Sequence, residues 1–473
     1  MNRFNMTAKI HHIYKQIQKE LSPTQIILIS FVLLILLGTF LLYLPFSHLP
    51  GVEVSLLNTI FTATSAVCVT GLTTLTTVST WSFFGKIIIL CLIQIGGLSL
   101  VTVFFFFLVQ LGKKVTFKDR LTIQAALNNL NPKGMVRMVL LVIRGTLICE
   151  GIGAVLLTLF FLLHNYNWNQ SLFYGIFHSV SAFCNAGFDL IGDQSLIPFS
   201  SNITFNLIII ILIIIGGIGF TVWSDIIQKV KFLLSSNKKK RVTFSLHSKL
   251  ALLTTLILLV SGTAYFMIFE YNNPSTLGNL TWPHKFLTAF FQSTTLRTAG
   301  FSTISQGGLN ESSKLISSIF MLIGGSPGGT AGGIKTVTIA ILFCSVWSVI
   351  KDYYNITVFG RSLSTKTLQK ALAILVIMFL IWIGATTLLS LTESNSIFNH
   401  TFIDLLFETS SALGTVGLTT GITPFLSSFG KLIIIFCMFI GRIGPIAIVI
   451  SLSNRSSHIN ALIRYPEEDI MIG

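Results

Sequence analysis

Long apolar runs recur along the whole chain, and they constrain its fold more than any other feature. Three clear examples cover residues 25–44, 87–109 and 205–222. Each is close to the roughly 20 residues with which an α-helix crosses a bilayer. Only 10% of the residues are charged, whereas a soluble domain carries about 25%. Because a lipid-facing surface needs no charged coat, the chain is predicted to be an all-α integral membrane protein.

Eight spanning segments are predicted, and the basic residues orient them. Lys and Arg gather in the N-terminal tail and in residues 113–137, 229–249 and 351–370, whereas the alternate connections contain few. Cytoplasmic connections are characteristically positive, so both termini are predicted to be cytoplasmic, with the protein in the cell membrane. The predicted spans are residues 24–46, 83–111, 136–163, 203–233, 248–270, 312–350, 366–392 and 428–452.

The net charge of +15 is accounted for by this topology, so nucleic acid is not a predicted partner. The run Lys238, Lys239, Lys240 and Arg241 is also suited to anionic headgroups. Membrane lipid is therefore a predicted partner.

Each odd span is joined to the next even span by a connection with a short apolar stretch, too short to cross the membrane. Such stretches are typical of re-entrant helices. Each runs into a glycine, and Gly71, Gly187, Gly300 and Gly417 recur at intervals of 113 to 117 residues. The pattern predicts four pseudo-symmetric helix–pore-loop–helix repeats, with eight spanning helices and four re-entrant pore helices around one central pore.

The predicted organisation follows from these repeats. It comprises a cytoplasmic tail (1–23), repeat 1 (24–111), a cytoplasmic loop (112–135), repeat 2 (136–233), a second loop (234–247), repeat 3 (248–350), a third loop (351–365), repeat 4 (366–452) and a cytoplasmic tail (453–473).

The four loops are predicted to form an ion filter. Non-helical backbone at membrane depth must be buried or line water, and a ring of carbonyl oxygens can replace the water shell of a cation. Glycine suits such a ring because it adopts positive φ readily. The alternative is four hairpins that merely pack. The predicted filter residues are Val69, Thr70, Gly71, Asn185, Ala186, Gly187, Thr298, Ala299, Gly300, Thr415, Val416 and Gly417, with the cation at the four glycines.

A second repeat lies in the even spans, each of which carries a glycine pair or its equivalent. The first two pairs, Gly96-Gly97 and Gly216-Gly217, are predicted to serve close helix packing. In the fourth repeat, Arg442 replaces the second glycine. A charge at mid-span is costly and therefore a functional candidate. Arg442 is predicted to donate to loop carbonyls and place positive charge in the ion path; a purely structural arginine bound to helix-end carbonyls is the alternative.

The third repeat carries a break where a gate is expected. Residues 324–333 contain six glycines and one proline, and such a stretch does not stay helical. A nucleotide-binding phosphate loop is excluded because Ile334 separates the last glycine from Lys335. The predicted gate residues are Gly324, Gly325, Ser326, Pro327, Gly328, Gly329, Thr330, Ala331, Gly332, Gly333, Lys335 and Arg442.

Together, the four loops and the glycine-rich break resemble the Trk/Ktr/HKT superfamily of potassium transporters, and the chain is most similar to the Ktr-type (KtrB-like) membrane subunit. The resemblance implies potassium as the transported ion, a channel-like and usually sodium-dependent pathway, and the glycine-rich loop with the arginine as its gate. It also implies a homodimer on a cytosolic ring of nucleotide-binding, KtrA-like regulatory subunits. No cofactor is expected in this chain, and sodium is a candidate activator.

Two rival functions have less support. An enzyme is not expected, because no metalloprotease or hydrolase motif and no carboxylate cluster lies in the spans. An alternating-access sodium/potassium carrier is the live alternative, although carriers usually have inverted repeats and these four share one orientation.

Two polar residues in the loops have smaller predicted roles. Arg297 is expected on the outer side of the ring, bracing the third loop through backbone carbonyls. Asn185 is expected to orient the second loop through its amide.

Overall fold

The computed structural model describes residues 21–127, 134–234, 243–353, 355–394 and 400–444. Outside them lie the predicted C-terminal tail, residues 1–20 of the N-terminal tail, the end of the eighth span and the basic run from Lys238 to Arg241, as well as parts of the three predicted cytoplasmic loops. Within the described residues the chain is mostly helical, with one two-stranded hairpin. The predicted fold class is confirmed.

Four long apolar helices open the four repeats. They have 21 to 29 residues and mean hydropathies of 2.0 to 2.8, which suffices to cross a membrane. The first begins sharply because Ser22 and Gln25 cap each other and Pro23 occupies the first turn. These helices are Pro23–Tyr43, Met135–Leu163, Leu246–Phe269 and Thr365–Thr392.

Four shorter helices follow, one in each outer connection, and we call them the pore helices. They have 13 to 17 residues, which gives lengths of about 20–26 Å at 1.5 Å per residue. This is shorter than the hydrocarbon core of about 30 Å, so the pore helices are too short to cross a membrane, and their C-terminal residues are buried inside the protein. They are Leu56–Cys68, Trp168–Cys184, Trp282–Thr295 and Phe402–Gly414.

The second half of each of the first three repeats is broken, which corrects part of the prediction. The sequence predicts continuous spans over 83–111 and 203–233, but Phe83–Leu98 and Leu100–Gln110 are bent by 88°, and Ile203–Gly217 and Phe220–Leu234 by 100°. The bends fall at Ser99 (φ 69°) and Gly219 (φ 98°), where left-handed backbone ends the helix. In the third repeat, Glu311–Leu322 and Thr336–Ile350 flank the glycine-rich stretch, and Ser428–Ile443 belongs to the fourth.

The glycine pairs press these helices against the pore-helix ends, as predicted. A Cβ on Gly96 would collide with the carbonyl of Val67, and one on Gly216 with that of Phe183. A Cβ on Gly97 would lie 2.7 Å from Cys184 Sγ. The missing side chains therefore let the helices approach the loops that follow the pore helices.

The four repeats close into a ring. The helix that follows each pore loop packs on the pore helix of the next repeat: Phe83–Leu98 on the second, Ile203–Gly217 on the third, Glu311–Leu322 on the fourth, and Ser428–Ile443 back on the first. This cyclic order places the four pore loops around one axis.

Smaller elements complete the described chain. They are the helices Thr77–Thr80 and Phe117–Ala126, the 3-10 turns Pro45–Ser47, Ile197–Phe199 and Thr423–Phe425, and an antiparallel hairpin that pairs Thr357–Val358 with Arg361–Ser362.

Candidate functional site

The four loop glycines lie against one another at the centre of the ring. Their φ values are 92°, 71°, 82° and 96°, a region that disfavours any side chain. A Cβ on Gly187 would lie 2.7 Å from Gly300 Cα, and one on Gly300 would lie 3.4 Å from Gly417 Cα. From Gly417 the corresponding distance to Gly71 Cα is 3.0 Å, and from Gly71 to Gly187 Cα it is 3.1 Å. Each glycine therefore touches the next, and the circle closes.

The carbonyl oxygens before these glycines form a ring of unpaired acceptors. Each lies beside the glycine of the neighbouring loop, where a Cβ would strike it. All four residues that carry them are 0% exposed, yet none of these oxygens accepts a hydrogen bond from the part of the chain described. Buried carbonyls are almost always paired, so this ring is suited to a partner from outside the described protein. The four residues are Thr70, Ala186, Ala299 and Val416.

A hydroxyl near the end of each pore helix fixes the loop above it. In the first and fourth loops, Ser65 and Ser411 accept the N–H of the ring glycine at 3.0 and 3.1 Å. In the second and third, Ser181 and Thr295 donate to the carbonyl after the glycine at 2.7 and 2.6 Å. The serine- and threonine-rich pore helices therefore hold the loops in one conformation.

On one side of the ring lies a cavity of about 630 Å³, which we call the outer vestibule after the predicted orientation; the four glycines are among its lining residues. Two carboxylates in its wall, Asp189 and Asp193, were missed by the sequence reasoning. The signal was available, because the residue two positions after each ring glycine is Thr73, Asp189, Ser302 or Thr419. Burial raises the pKa of Asp189 to about 6, against the hydrogen bonds from Ile191, Ser195 and Gly192.

Beneath the ring, the glycine-rich stretch forms a loop held between repeats. Ile323 and Ile334 pair at its base, and its N–H groups at Ser326 and Thr330 donate to the carbonyls of Gly217 (2.9 Å) and Gly216 (3.3 Å). These acceptors lie at the C-terminal end of Ile203–Gly217, so the loop uses the helix end that the bend exposes.

This loop touches the residues next to the glycine ring from below. The Thr330 hydroxyl donates to the carbonyl of Phe183 at 3.2 Å, and a Cβ on Gly332 would collide with the side chain of Thr415. Lys335 Nζ donates to the carbonyl of Ala331 at 2.6 Å, which folds its side chain back on the loop. The predicted gate residues of 324–335 thus form one body directly under the glycine ring.

Arg442 joins this loop to the first repeat. Its Nη1 donates to the carbonyl of Thr330, and its Nη2 donates to the carbonyls of Gly96 at 2.6 Å and Gly97 at 3.1 Å. The last two belong to a helix C-terminus, which carries partial negative charge. Arg442 therefore contacts both groups considered in the sequence analysis, the loop carbonyl and the helix-end carbonyls.

An inner cavity of about 500 Å³ lies on the other side of this loop, with Arg442 and Lys335 in its wall. It is separated from the outer vestibule by the glycine ring and the glycine-rich loop.

Two smaller predictions have different outcomes. The Asn185 amide lies between loops, within 3.4–3.5 Å of the Arg297 carbonyl and the Thr298 and Thr330 hydroxyls, which suits the orienting role expected. The brace by Arg297 is wrong: its described guanidinium bond goes to Thr255 Oγ1 at 3.3 Å. The reason is position, because Arg297 lies two residues after the buried C-terminal end of its pore helix at Thr295 and faces the helix Leu246–Phe269.

Comparison with known proteins gives independent evidence on the family of this chain. Residues 7–460 match the family described as TrkH, cation transport protein. The potassium/sodium uptake protein NtpJ of Enterococcus hirae is 39% identical over 97% of this chain and 99% of its own. The Ktr system potassium uptake protein B of Bacillus subtilis is 38% identical over 96% of this chain and 97% of its own.

A solved structure shares the fold. The potassium transporter TrkH of Vibrio parahaemolyticus superposes with a TM-score of 0.68 at 18% identity, over 91% of this chain and 85% of that one. At this identity the likeness supports the architecture of four repeats.

Proposed function

Because this chain belongs to the TrkH family of cation transport proteins, we propose that it takes up potassium ions across the cell membrane through a channel-like pore. One observation carries the proposal: four buried carbonyl oxygens gather around a common centre, and no described residue donates a hydrogen bond to them. A dehydrated cation is the partner that such a ring accepts. Relatives named for potassium uptake agree with the choice of ion.

The pore helices would lower the cost of holding this ion. Each ends within a few residues of a ring glycine, and a helix C-terminus carries about half a negative charge. Four such ends partly offset the lost hydration of one cation. Because each loop has one ring glycine, one well-formed site is proposed at Gly71, Gly187, Gly300 and Gly417.

Control of passage is assigned to the loop of residues 324–333 and Arg442. An ion leaving the filter inward meets the body formed by Thr330, Gly332 and Lys335, and the guanidinium that holds it. Positive charge there repels cations, and glycines let the loop move once the Arg442 bonds break. The resting arrangement would therefore be a closed gate.

Regulation is proposed to come from the cytoplasmic side. The name Ktr system suits a membrane subunit that works with other components, and we infer a homodimer on a cytosolic ring of nucleotide-binding subunits. Both termini would face this ring. Sodium is proposed as an activator, in keeping with the potassium/sodium name of the Enterococcus relative.

Complementation tests the proposal. The chain is expressed, with and without a cytosolic nucleotide-binding partner, in a bacterium that lacks its own potassium uptake. Growth at low external potassium, with saturable rubidium uptake, is expected. Failure of both arms with the protein present in the membrane would overturn it, and uptake with a fixed sodium-to-potassium stoichiometry would favour the alternating-access carrier.

A further inference from the structure

The outer vestibule is an acidic cavity in a basic protein. Among the described residues, its lining includes two carboxylates, Asp189 and Asp193, and no Lys, Arg or His, although the whole chain carries a net charge of +15. A cleft lined by one sign of charge focuses its field and raises the local concentration of the opposite ion. Cations are therefore concentrated directly above the filter.

Both carboxylates are fixed in position. Asp189 Oδ1 accepts the N–H groups of Ile191 at 3.1 Å and Gly192 at 3.4 Å. Asp193 accepts the hydroxyl of Thr76, which belongs to the first repeat, so the second outer loop is tied to its neighbour. Since each carboxylate offers about four lone-pair positions, these bonds leave acceptor capacity for a ligand.

An unpaired hydroxyl on the same wall points independently to a ligand. Thr303 is 2% exposed, lines the outer vestibule, and its Oγ1 has no hydrogen-bond partner in the described ranges. Buried hydroxyls are normally satisfied by protein or water. A hydrated cation would supply a water to this oxygen.

We propose that Asp189, Asp193 and Thr303 form a loading site in the outer vestibule, where a hydrated monovalent cation is held before it enters the filter. The inference rests on the proposed transport function and adds a second site to it. Asp189 provides the charge nearest the ring in sequence, two residues after Gly187. Asp193 adds a second charge at the rim, and Thr303 contacts the hydration shell.

Initial rates of rubidium uptake into proteoliposomes test this site. They are measured against rubidium concentration at low ionic strength and again in high choline chloride. The variants Asp189→Asn and Asp193→Asn are expected to raise KM about threefold each, from the loss of one charge at close range in a high-dielectric cavity, with the maximum rate kept. High salt should remove the difference, because the Debye length falls to about 3 Å at 1 M.

Two further variants separate electrostatics from structure. Glu311→Gln removes an exposed carboxylate from the first turn of Glu311–Leu322, outside the vestibule lining, and should leave KM unchanged. Ser302→Asp in the Asp189→Asn background restores a charge at the equivalent position of the third loop and should recover the low KM. A merely structural role of Asp189 would not permit that recovery.

The outcomes are distinct. If the wild type transports rubidium but both Asn variants keep its KM at low ionic strength, the loading site is refuted while the transport proposal stands. If Asp189→Asn does not fold, the exposed Asp193 carries the test alone. If Thr303→Val matches the wild type at all concentrations, Thr303 does not contact the ion. A wild type without uptake refutes the proposed function itself.

Discussion

Replacing Gly71 by Ser tests the filter, and the structure gives the size of the effect. At φ 92° a side chain costs about 1–2 kcal/mol in backbone strain. Its Cβ would also collide with the carbonyl of Ala186 and lie 3.1 Å from Gly187 Cα. Overpacking of this kind costs about 1–3 kcal/mol, so the ring must open at a total cost of about 2–5 kcal/mol.

The displaced atom is one of the proposed ion ligands, so the cost falls on binding. Since about 1.4 kcal/mol corresponds to a factor of ten, Gly71→Ser should reduce the preference for potassium over sodium by about 30-fold or more. The assay is rubidium uptake into proteoliposomes in competition with potassium and with sodium.

Gly51→Ser is the matched control. Gly51 has a similar φ of 81°, but no described atom lies within 4 Å of the position that a Cβ would take there. It should incur the same backbone strain and leave selectivity unaltered. A folded Gly71→Ser protein with wild-type affinity and selectivity would refute the assignment of the ring as the filter.

Three further substitutions test the hydroxyls that hold the pore loops, the proposed gate and an ion pair that stabilises the fold. Ser411→Ala leaves the N–H of Gly417 unsatisfied, at a cost of about 1–3 kcal/mol, and should reduce selectivity about tenfold; Ser410→Ala, which loses only a bond to Leu406 within the helix, should not, and equal effects would contradict this. Arg442→Ala removes bonds to three carbonyls and should raise rubidium flux severalfold, with Arg442→Lys intermediate; unchanged flux would argue for a structural arginine. Lys314→Met leaves the Asp404 carboxylate without its 2.8 Å ion pair and should lower the free energy of unfolding by about 1–3 kcal/mol. Burial raises the pKa of Asp404, but the hydrogen bonds from Lys314 and Thr401 lower it further, so this pKa lies below its usual 3.8. The ion pair therefore stabilises the protein fully above pH 3.8, and this stabilisation is lost in stronger acid. A melting temperature that is equally acid-sensitive in Asp404→Asn would contradict the pairing.

The sequence was sufficient to predict elements that repeat. Each pore loop is weak evidence alone, but a glycine that returns at near-equal intervals after a short apolar helix specifies a position in three dimensions. The same alignment of repeats isolated Arg442, because it stands where the other repeats have glycine. These inferences needed no knowledge of which residues touch.

What depends on distant contacts could not be predicted. Arg442 bonds to carbonyls of Gly96 and Gly97, more than 340 residues away, and the sequence names no such partner. The bend at Gly219 lies against the carbonyl of Pro327 in the glycine-rich loop, a contact between distant parts of the chain, and hydropathy alone predicts straight spans. The prediction that Arg297 lies on the outer side of the ring is wrong. Its distance from Gly300 in the sequence does not give the direction in which the pore helix runs, and this direction decides where Arg297 lies.

Asp189 could be distinguished in the sequence only by aligning the four loops, because its equivalents there are Thr73, Ser302 and Thr419. That it lies in the wall of a cavity shared by all four loops could not be predicted, because the cavity exists only in three dimensions.

The central claim is that the carbonyls of Thr70, Ala186, Ala299 and Val416 bind the transported ion. Anomalous diffraction from crystals grown in rubidium tests it most directly. A rubidium peak is expected on the axis of the ring, equally near the four oxygens, and it should be lost in Gly71→Ser crystals. A ring without rubidium at saturating concentration, or a peak that persists unchanged in the variant, would contradict it.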